Sequence, residues 1–195
     1  MIVDVVVARY SEPLDWLATI PDEWRIFVYD KGGTPALQNG PLKRAIITIP
    51  RPNIGRDLET FLWHNLTTTH ADYTIYLQGR PFDHCADPIP RAQSVIAKKE
   101  KLGWLGPTWD ATWNALPHRL CDLGTAEVWP QIFPNEPVPE NFLFPAGAQM
   151  IVHRDRLVAR TKEWWYNAHR VSFTNDWRMP HCIERFCPAI YGSTL

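Results

Sequence analysis

The 195-residue sequence predicts an α/β fold: a mixed, mostly parallel sheet flanked by helices. Three observations carry that expectation. Ile2 to Ala8 is a continuous run of largely β-branched residues, the pattern of a strand buried on both faces. Tyr73, Ile75 and Leu77 alternate with Thr74 and Tyr76, the period of a strand, until Gly79 and Pro81 stop it. Around these two runs the order is strand, helix, strand, strand, helix, strand, which reads as a mixed α/β sandwich.

Each element follows from its own residues. The first strand spans Ile2 to Ala8 and exits through Arg9-Tyr-Ser-Glu12. Pro13 to Ile20 is a short helix with Leu14, Trp16 and Leu17 as apolar positions. Trp24 to Tyr29 is a second strand, ended by Asp30-Lys-Gly-Gly33. Ala45 to Ile49 is a third, before Pro50 and Pro52. Asn53-Ile-Gly-Arg-Asp57 opens a helix running to about Thr69, with Leu58, Phe61, Leu62 and Leu66 at helical spacing. Asp72 to Leu77 is the fourth strand, and residues 88–101 are helical. The stretch 103–145 is rich in Trp, Pro and Gly without periodicity, and is expected to be a long ordered loop region that carries specificity. Phe144 to His153 resumes as a strand, with Ala146-Gly-Ala148 small enough for close backbone approach. Arg154 to Ala168 is a helix, and residues 180–191 form the last one.

Composition bounds the function. Net charge is −1, so no basic excess announces nucleic acid, and phosphate binding would need a local site. No apolar stretch approaches the ~18 residues of a membrane span. The amino terminus lacks the pattern of a signal peptide, and a cytoplasmic location is expected by default. Cys85, Cys121, Cys182 and Cys187 are too sparse for a disulfide framework. Cys182 and Cys187 beside His181 lack a second ligand pair for zinc, so buried thiols are expected. Gly-x-Gly-x-x-Gly after the first strand, Gly-x4-Gly-Lys-Ser/Thr and Gly-x-Ser-x-Gly are all missing. Their absence argues against a dinucleotide oxidoreductase, a P-loop enzyme and an α/β-hydrolase.

The chemistry gathers after the fourth strand. Gln78, Arg80, Asp83 and His84 follow it at once, and ligands in open α/β sheets bind outside the carboxyl ends of strands. A solvated loop exit would look the same. The chain also carries 10 Trp and 18 Pro. Trp104, Trp109 and Trp113 crowd together, and their faces suit a sugar ring, a base or plain core packing.

Five segments in chain order carry a resemblance. They are Val5 to Glu12 with Trp16-Leu17, Phe27 to Gly32, Asn53 to Asp57 with Phe61-Leu62, Tyr76 to His84, and Phe144 to Arg154. They resemble an uncharacterised domain family of fungi and bacteria that is similar to A-type glycosyltransferases. The resemblance implies one Rossmann-like domain over 1–195, with 1–102 as nucleotide-binding half and 103–195 as acceptor-binding half. It implies that Ala8, Arg9, Tyr10 and Glu12 lie at the base and Asp30 near the base or ribose. Asn53, Gly55, Arg56 and Asp57 would be neighbours of the diphosphate, with Gln78, Gly79 and Arg80 also on the donor. Arg56 and Asp57 would equally suit an exposed first-turn pair. The Asp-x-Asp of such enzymes is replaced here by Gln78-Gly-Arg80. Either Asp83 and His84 bind manganese or magnesium, or Arg80 neutralises the diphosphate without metal. Glu184 is placed as general base, with Asp176 as the other candidate. A surface helix glutamate is the plain alternative for Glu184. Trp104, Trp109 and Trp113 would bind acceptor or sugar.

The implied activity is transfer of a sugar from a nucleotide-sugar to an acceptor hydroxyl on a glycan, lipid, protein or modified nucleic-acid base. A non-catalytic nucleotide- or glycan-binding module of the same fold is the alternative. A partner-binding protein using the Trp-rich loops is a third.

Overall fold

The computed structural model describes residues 1–32, 45–111, 124–139 and 142–192. In chain order the elements are β1 (Val3–Arg9), a 3-10 turn (Asp15–Thr19), β2 (Arg25–Asp30), β3 (Ile46–Pro50), α1 (Arg56–Thr67), β4 (Tyr73–Gln78), a 3-10 turn (Pro81–Asp83) and α2 (Pro88–Ala97). Then come β5 (Leu102–Trp104), β6 (Thr108–Ala111), α3 (Thr125–Ile132), β7 (Phe142–Pro145), a 3-10 turn (Ala146–Ala148), β8 (Met150–His153), α4 (Arg154–Val158), α5 (Lys162–Ser172) and α6 (Arg178–Ile190).

Among the described residues six strands form one sheet in the order β3-β2-β1-β4-β8-β5, and β6 pairs with β7 as a separate ribbon. β3, β2, β1 and β4 are mutually parallel, and β8 runs antiparallel between β4 and β5. The chain moves outward from β1 to β3, then returns to the other side of β1 as β4. That reversal is a topological switch point, where open sheets of this kind leave a crevice at the carboxyl ends.

Every residue of β1 is buried, which explains its valine-rich run, and the buried Asp4 within it is held by the Arg25 guanidinium at 2.6 and 2.8 Å. Val3, Val5 and Val7 face α2 and the first 3-10 turn, packing with Leu17, Ile89 and Ala92. Val6 and Ala8 face the other layer, packing with Phe61 and Leu62 of α1, Trp165 of α5 and Phe186 of α6. Helices therefore cover both faces, as the sequence predicts.

The structure differs from the expected elements at four places. The strand expected over Phe144 to His153 is two strands in different sheets, β7 and β8, because the chain turns through Ala146–Ala148 with Gly147 left-handed at φ 75°. The helix expected over Pro13 to Ile20 is a 3-10 turn, Asp15–Thr19. The stretch 103–145 is not a continuous loop: it contains β6, α3, β7 and the end of β5, short elements without enough length to show a period. The helix expected over 154–168 is two helices. Thr161 is extended and its hydroxyl oxygen accepts the Trp164 N–H at 3.1 Å, which starts α5 afresh.

A buried carboxylate fixes α1. Glu59 is fully buried and meets Lys31 Nζ from the end of β2 at 2.8 Å, the Arg51 guanidinium after β3, and His169 Nε2 of α5 at 2.8 Å. Burial alone would raise its pKa. The His169 hydrogen bond and the charges of Lys31 and Arg51 outweigh that and hold it at about 2, below the ordinary 4.5. His64 of α1 is also buried, bonded through Nδ1 to the Tyr29 hydroxyl at 2.9 Å, and burial lowers its pKa to about 3.

These shifts fix the acid response. Glu59 stabilises the fold fully above pH 4.5, and that contribution is lost as pH falls toward 2. Glu59→Gln strands Lys31 and Arg51 beside a neutral amide and should cost ~3–5 kcal/mol at pH 7. Urea denaturation at pH 7 and pH 3 checks this. The gap between wild type and variant should narrow at pH 3, and an equal gap at both would show that another group carries the acid sensitivity.

Candidate functional site

A polar crevice of about 520 Å³ opens at the switch point. It is lined by Arg9, Tyr10 and Glu12 after β1, Lys31 after β2, Asn53, Arg56 and Asp57 at the start of α1, and Gln78, Arg80 and Asp83 after β4. A smaller cavity of about 200 Å³ adjoins it, lined by Leu58, His84, Phe144, Ala146, Gly147, Ala148, Pro180, His181, Glu184 and Arg185. Arg56, Asp57 and Gln78 line both and form the wall between them. A crevice of this volume suits a nucleotide-sized ligand, and the cavity suits one ring.

The loops around the crevice are tied down by their own side chains. Arg9 is buried, and its Nη1 donates to Asp30 Oδ1 at 2.9 Å while its Nε donates to the Glu12 carbonyl at 2.9 Å. Asp30 Oδ1 also accepts the Gly32 N–H at 3.1 Å. Glu12 Oε2 accepts the Tyr10 and Ser11 N–H groups at 2.7 and 3.1 Å, so this carboxylate shapes its own turn. Trp16 Nε1 donates to the Gly79 carbonyl at 2.8 Å, joining the β1 exit to the β4 exit. Lys31 Nζ donates to the carbonyls of Ile54 and Arg56, so one buried ammonium holds the loop that enters α1.

Backbone strain concentrates at the same place. Gly55 and Arg56 are both left-handed, with φ of 66° and 52°. A Cβ at Gly55 would lie 2.4 Å from the Ser172 carbonyl oxygen. Gly147 and Ala148 repeat the pattern across the cavity, with φ of 75° and 51°. Left-handed conformations cost a non-glycine residue of order 1–3 kcal/mol, and such outliers gather at functional sites. Two of the three positive-φ non-glycine residues described, Arg56 and Ala148, line the cavity.

Asp57 sits in the shared wall. Its Oδ2 accepts from Gln78 Nε2 at 2.9 Å. Burial pushes its pKa up to about 6, against the pull of Arg56, Lys31 and the Gln78 hydrogen bond. Across the cavity, Glu184 Oε1 accepts the Gly147 N–H at 2.6 Å and Oε2 lies 3.9 Å from His181 Nδ1.

The structure brings together Arg9, Tyr10, Glu12, Asn53, Arg56, Asp57, Gln78, Arg80 and Asp83, with Asp30 and Gly79 bonded to the same loops. Gly55 stands just behind them as the residue preceding α1. Ala8 is different: its side chain is buried in the core on the α1 face. Glu184 is in the adjoining cavity. Asp176 lies elsewhere, its carboxylate held by the Arg178 side chain at 2.8 Å and by the Arg178 N–H at 3.0 Å, and Arg178 holds its pKa down. Trp104 is on edge strand β5, half-buried against the core. The Trp109 side chain and the whole of Trp113 lie outside the described residues, as does Cys121. Cys85, Cys182 and Cys187 are buried free thiols, as expected.

Asp83 and His84 do not share a face. Asp83 is exposed on the crevice, 3.3 Å from Arg80 Nε, whereas His84 lines the cavity with its ring against Gly147. Among the described residues no three His, Cys, Asp or Glu side chains group to hold an ion. No described helix is long and apolar enough to cross a membrane.

Residues missed from sequence are Lys31, Gly147, His181 and Arg185. His181 and Glu184, three apart on a helix, do carry a readable signal, since that spacing places them on one face. Nothing local marks Lys31, whose role comes from three long-range partners.

Gly147→Ala tests the cavity wall. A Cβ there would lie 2.5 Å from His84 Cδ2, in a left-handed residue. The variant should lose about 1–3 kcal/mol, read as a fall in Tm of several degrees by thermal unfolding. An unchanged Tm would show that neither the left-handed backbone nor the His84 ring constrains this position. In comparisons with known proteins, no family model matches the chain and no curated protein matches it.

Proposed function

We propose that the protein is a glycosyltransferase of the A-type fold that moves a sugar from a nucleotide-sugar to an acceptor hydroxyl. The observation that carries this reading is the pair of adjoining pockets with Arg56, Asp57 and Gln78 as common wall. A two-substrate transfer needs one site for the donor, one for the acceptor, and a boundary where the bond is exchanged. The polar crevice takes the nucleoside diphosphate, with Arg56 and Arg80 toward its phosphates. The cavity takes the transferred sugar and the acceptor hydroxyl. Glu184, there as an acceptor of one backbone N–H, is the base that removes the hydroxyl proton. The ordered resemblance of five segments to a family similar to such enzymes supports the same reading.

A non-catalytic binding module is favoured by one observation: the Gly147 N–H already occupies Glu184 Oε1 at 2.6 Å. A panel of nucleotide-sugars, followed for slow donor hydrolysis with and without manganese or magnesium, separates the two. Nucleoside diphosphates should raise the Tm of either, because a ligand that binds only the native state stabilises it. Donor hydrolysis is expected of the enzyme alone. Glu184→Gln should then keep nucleotide affinity and lose ~10²–10⁴-fold in turnover. Near-normal turnover in that variant would remove Glu184 as base, and no Tm shift with any common nucleotide at millimolar concentration would sink both readings.

A further inference from the structure

One side of α6 runs from the cavity out to solvent. Trp177, His181 and Glu184 are four and then three residues apart, the spacing that stacks side chains on one side of a helix. Trp177 precedes α6 with a helical backbone, φ −59° and ψ −22°, so the stripe continues through it. Exposure rises along the stripe. The Glu184 and His181 side chains are 17% and 26% exposed and both line the cavity, whereas Trp177 is 53% exposed one turn further out. Its ring meets the His181 imidazole edge to face, with centroids 6.2 Å apart. Core packing does not account for it. Every other tryptophan whose side chain is described, from Trp16 to Trp165, packs into one of the two hydrophobic layers, and Trp177 into neither.

We propose that Trp177 is the platform on which the acceptor lies, and that the acceptor is a glycan of two or more sugar units. One unit offers its hydroxyl to Glu184 in the cavity, and a neighbouring unit stacks its C–H face on the indole. This rests on the reading of the cavity as the acceptor site. Trp177 and Glu184 are separated by about 10 Å along the helix axis, further than one ring reaches. His181 lies between them, where a ring nitrogen can hydrogen-bond a hydroxyl near the linkage.

The surroundings favour a sugar over an acyl chain. An acyl chain needs a continuous apolar channel, whereas the exposed indole is flanked by Asp176 and Arg178, which pair at 2.8 Å and are themselves partly exposed. Charged groups beside an aromatic face suit a ligand that carries hydroxyls around an apolar face. Trp104, the described tryptophan expected in this role, is half-buried against the core and is not among the residues lining the cavity.

Proton–nitrogen NMR of the whole protein reads the Trp177 indole N–H directly, with Trp177→Ala identifying its signal. Cellobiose, maltose, lactose and diacetylchitobiose at millimolar concentration are the probes. At least one should shift that signal, and Trp177→Ala should weaken its binding by about 10-fold, the scale of one lost stacking contact. Trp177→Phe should restore most of that affinity. Tm and uridine diphosphate affinity should be unchanged in both variants, since the residue is exposed and does not line the crevice. With the nucleotide-sugar hydrolysed in the panel as donor, Trp177→Ala should raise the KM for that sugar about 10-fold and lower kcat less. An unmoved signal with all four sugars, or equal binding by Trp177→Ala, overturns the platform and leaves the transferase reading to the nucleotide experiments. If a sugar binds at Trp177 but no nucleoside diphosphate binds and no donor is hydrolysed, the transferase reading fails, and the acceptor role of Trp177 with it.

Discussion

Glu59 is the constraint on which the rest of the site depends. A fully buried carboxylate in a helix would be costly alone, and it persists because three cationic or hydrogen-bonding groups converge on it. Each comes from a different part of the chain: Lys31 from the β2 exit, Arg51 from the β3 exit, His169 from α5. The cluster therefore sets where α1 begins relative to the sheet. Lys31 extends that control by holding the Ile54 and Arg56 carbonyls. Arg56 and Asp57 owe their positions in the wall to a contact made one turn further along their helix.

The strained backbone fits this arrangement. Gly55 and Arg56 turn left-handed just where the loop must rise over the sheet and present a guanidinium to both pockets. The cost is borne by the Glu59 cluster and by the packing of Leu58, Phe61 and Leu62 behind it. Opposite, Gly147 is held by the Glu184 carboxylate and lies against the His84 ring. Both sides of the cavity thus pair a conformation that is unfavourable locally with a side chain that fixes it.

Much of the sheet was legible in the sequence because its signals are local. The valine-rich run of β1 and the alternation of β4 declare buried strands, and the polar residues after each declare the crevice rim. Leu58, Phe61 and Leu62 declare α1. The region from 103 to 145 was not legible, since β6, α3 and β7 are short and depend on partners far along the chain. The split between α4 and α5 turns on one hydroxyl cap at Thr161, which a continuous apolar spacing conceals. In the site, a residue type at a strand end could be read directly, as with Gln78 and Arg80. The separation of Asp83 from His84 could not, because adjacency in sequence says nothing about which side of a turn each side chain takes.

The antiparallel course of β8 has a consequence for how this molecule can change. A parallel strand brings only the residues that follow it to the crevice rim. β8 runs the other way beside β4, so the residues that precede it, Ala146 to Ala148, arrive at that rim instead. The cavity wall and the crevice wall are then carried by distant stretches of chain on a common sheet. Substitutions in Phe144 to Ala148 or along α6 can reshape what enters the cavity while leaving Arg9, Lys31 and Glu59 untouched. What the cavity admits can therefore change while the loops that frame the crevice stay as they are.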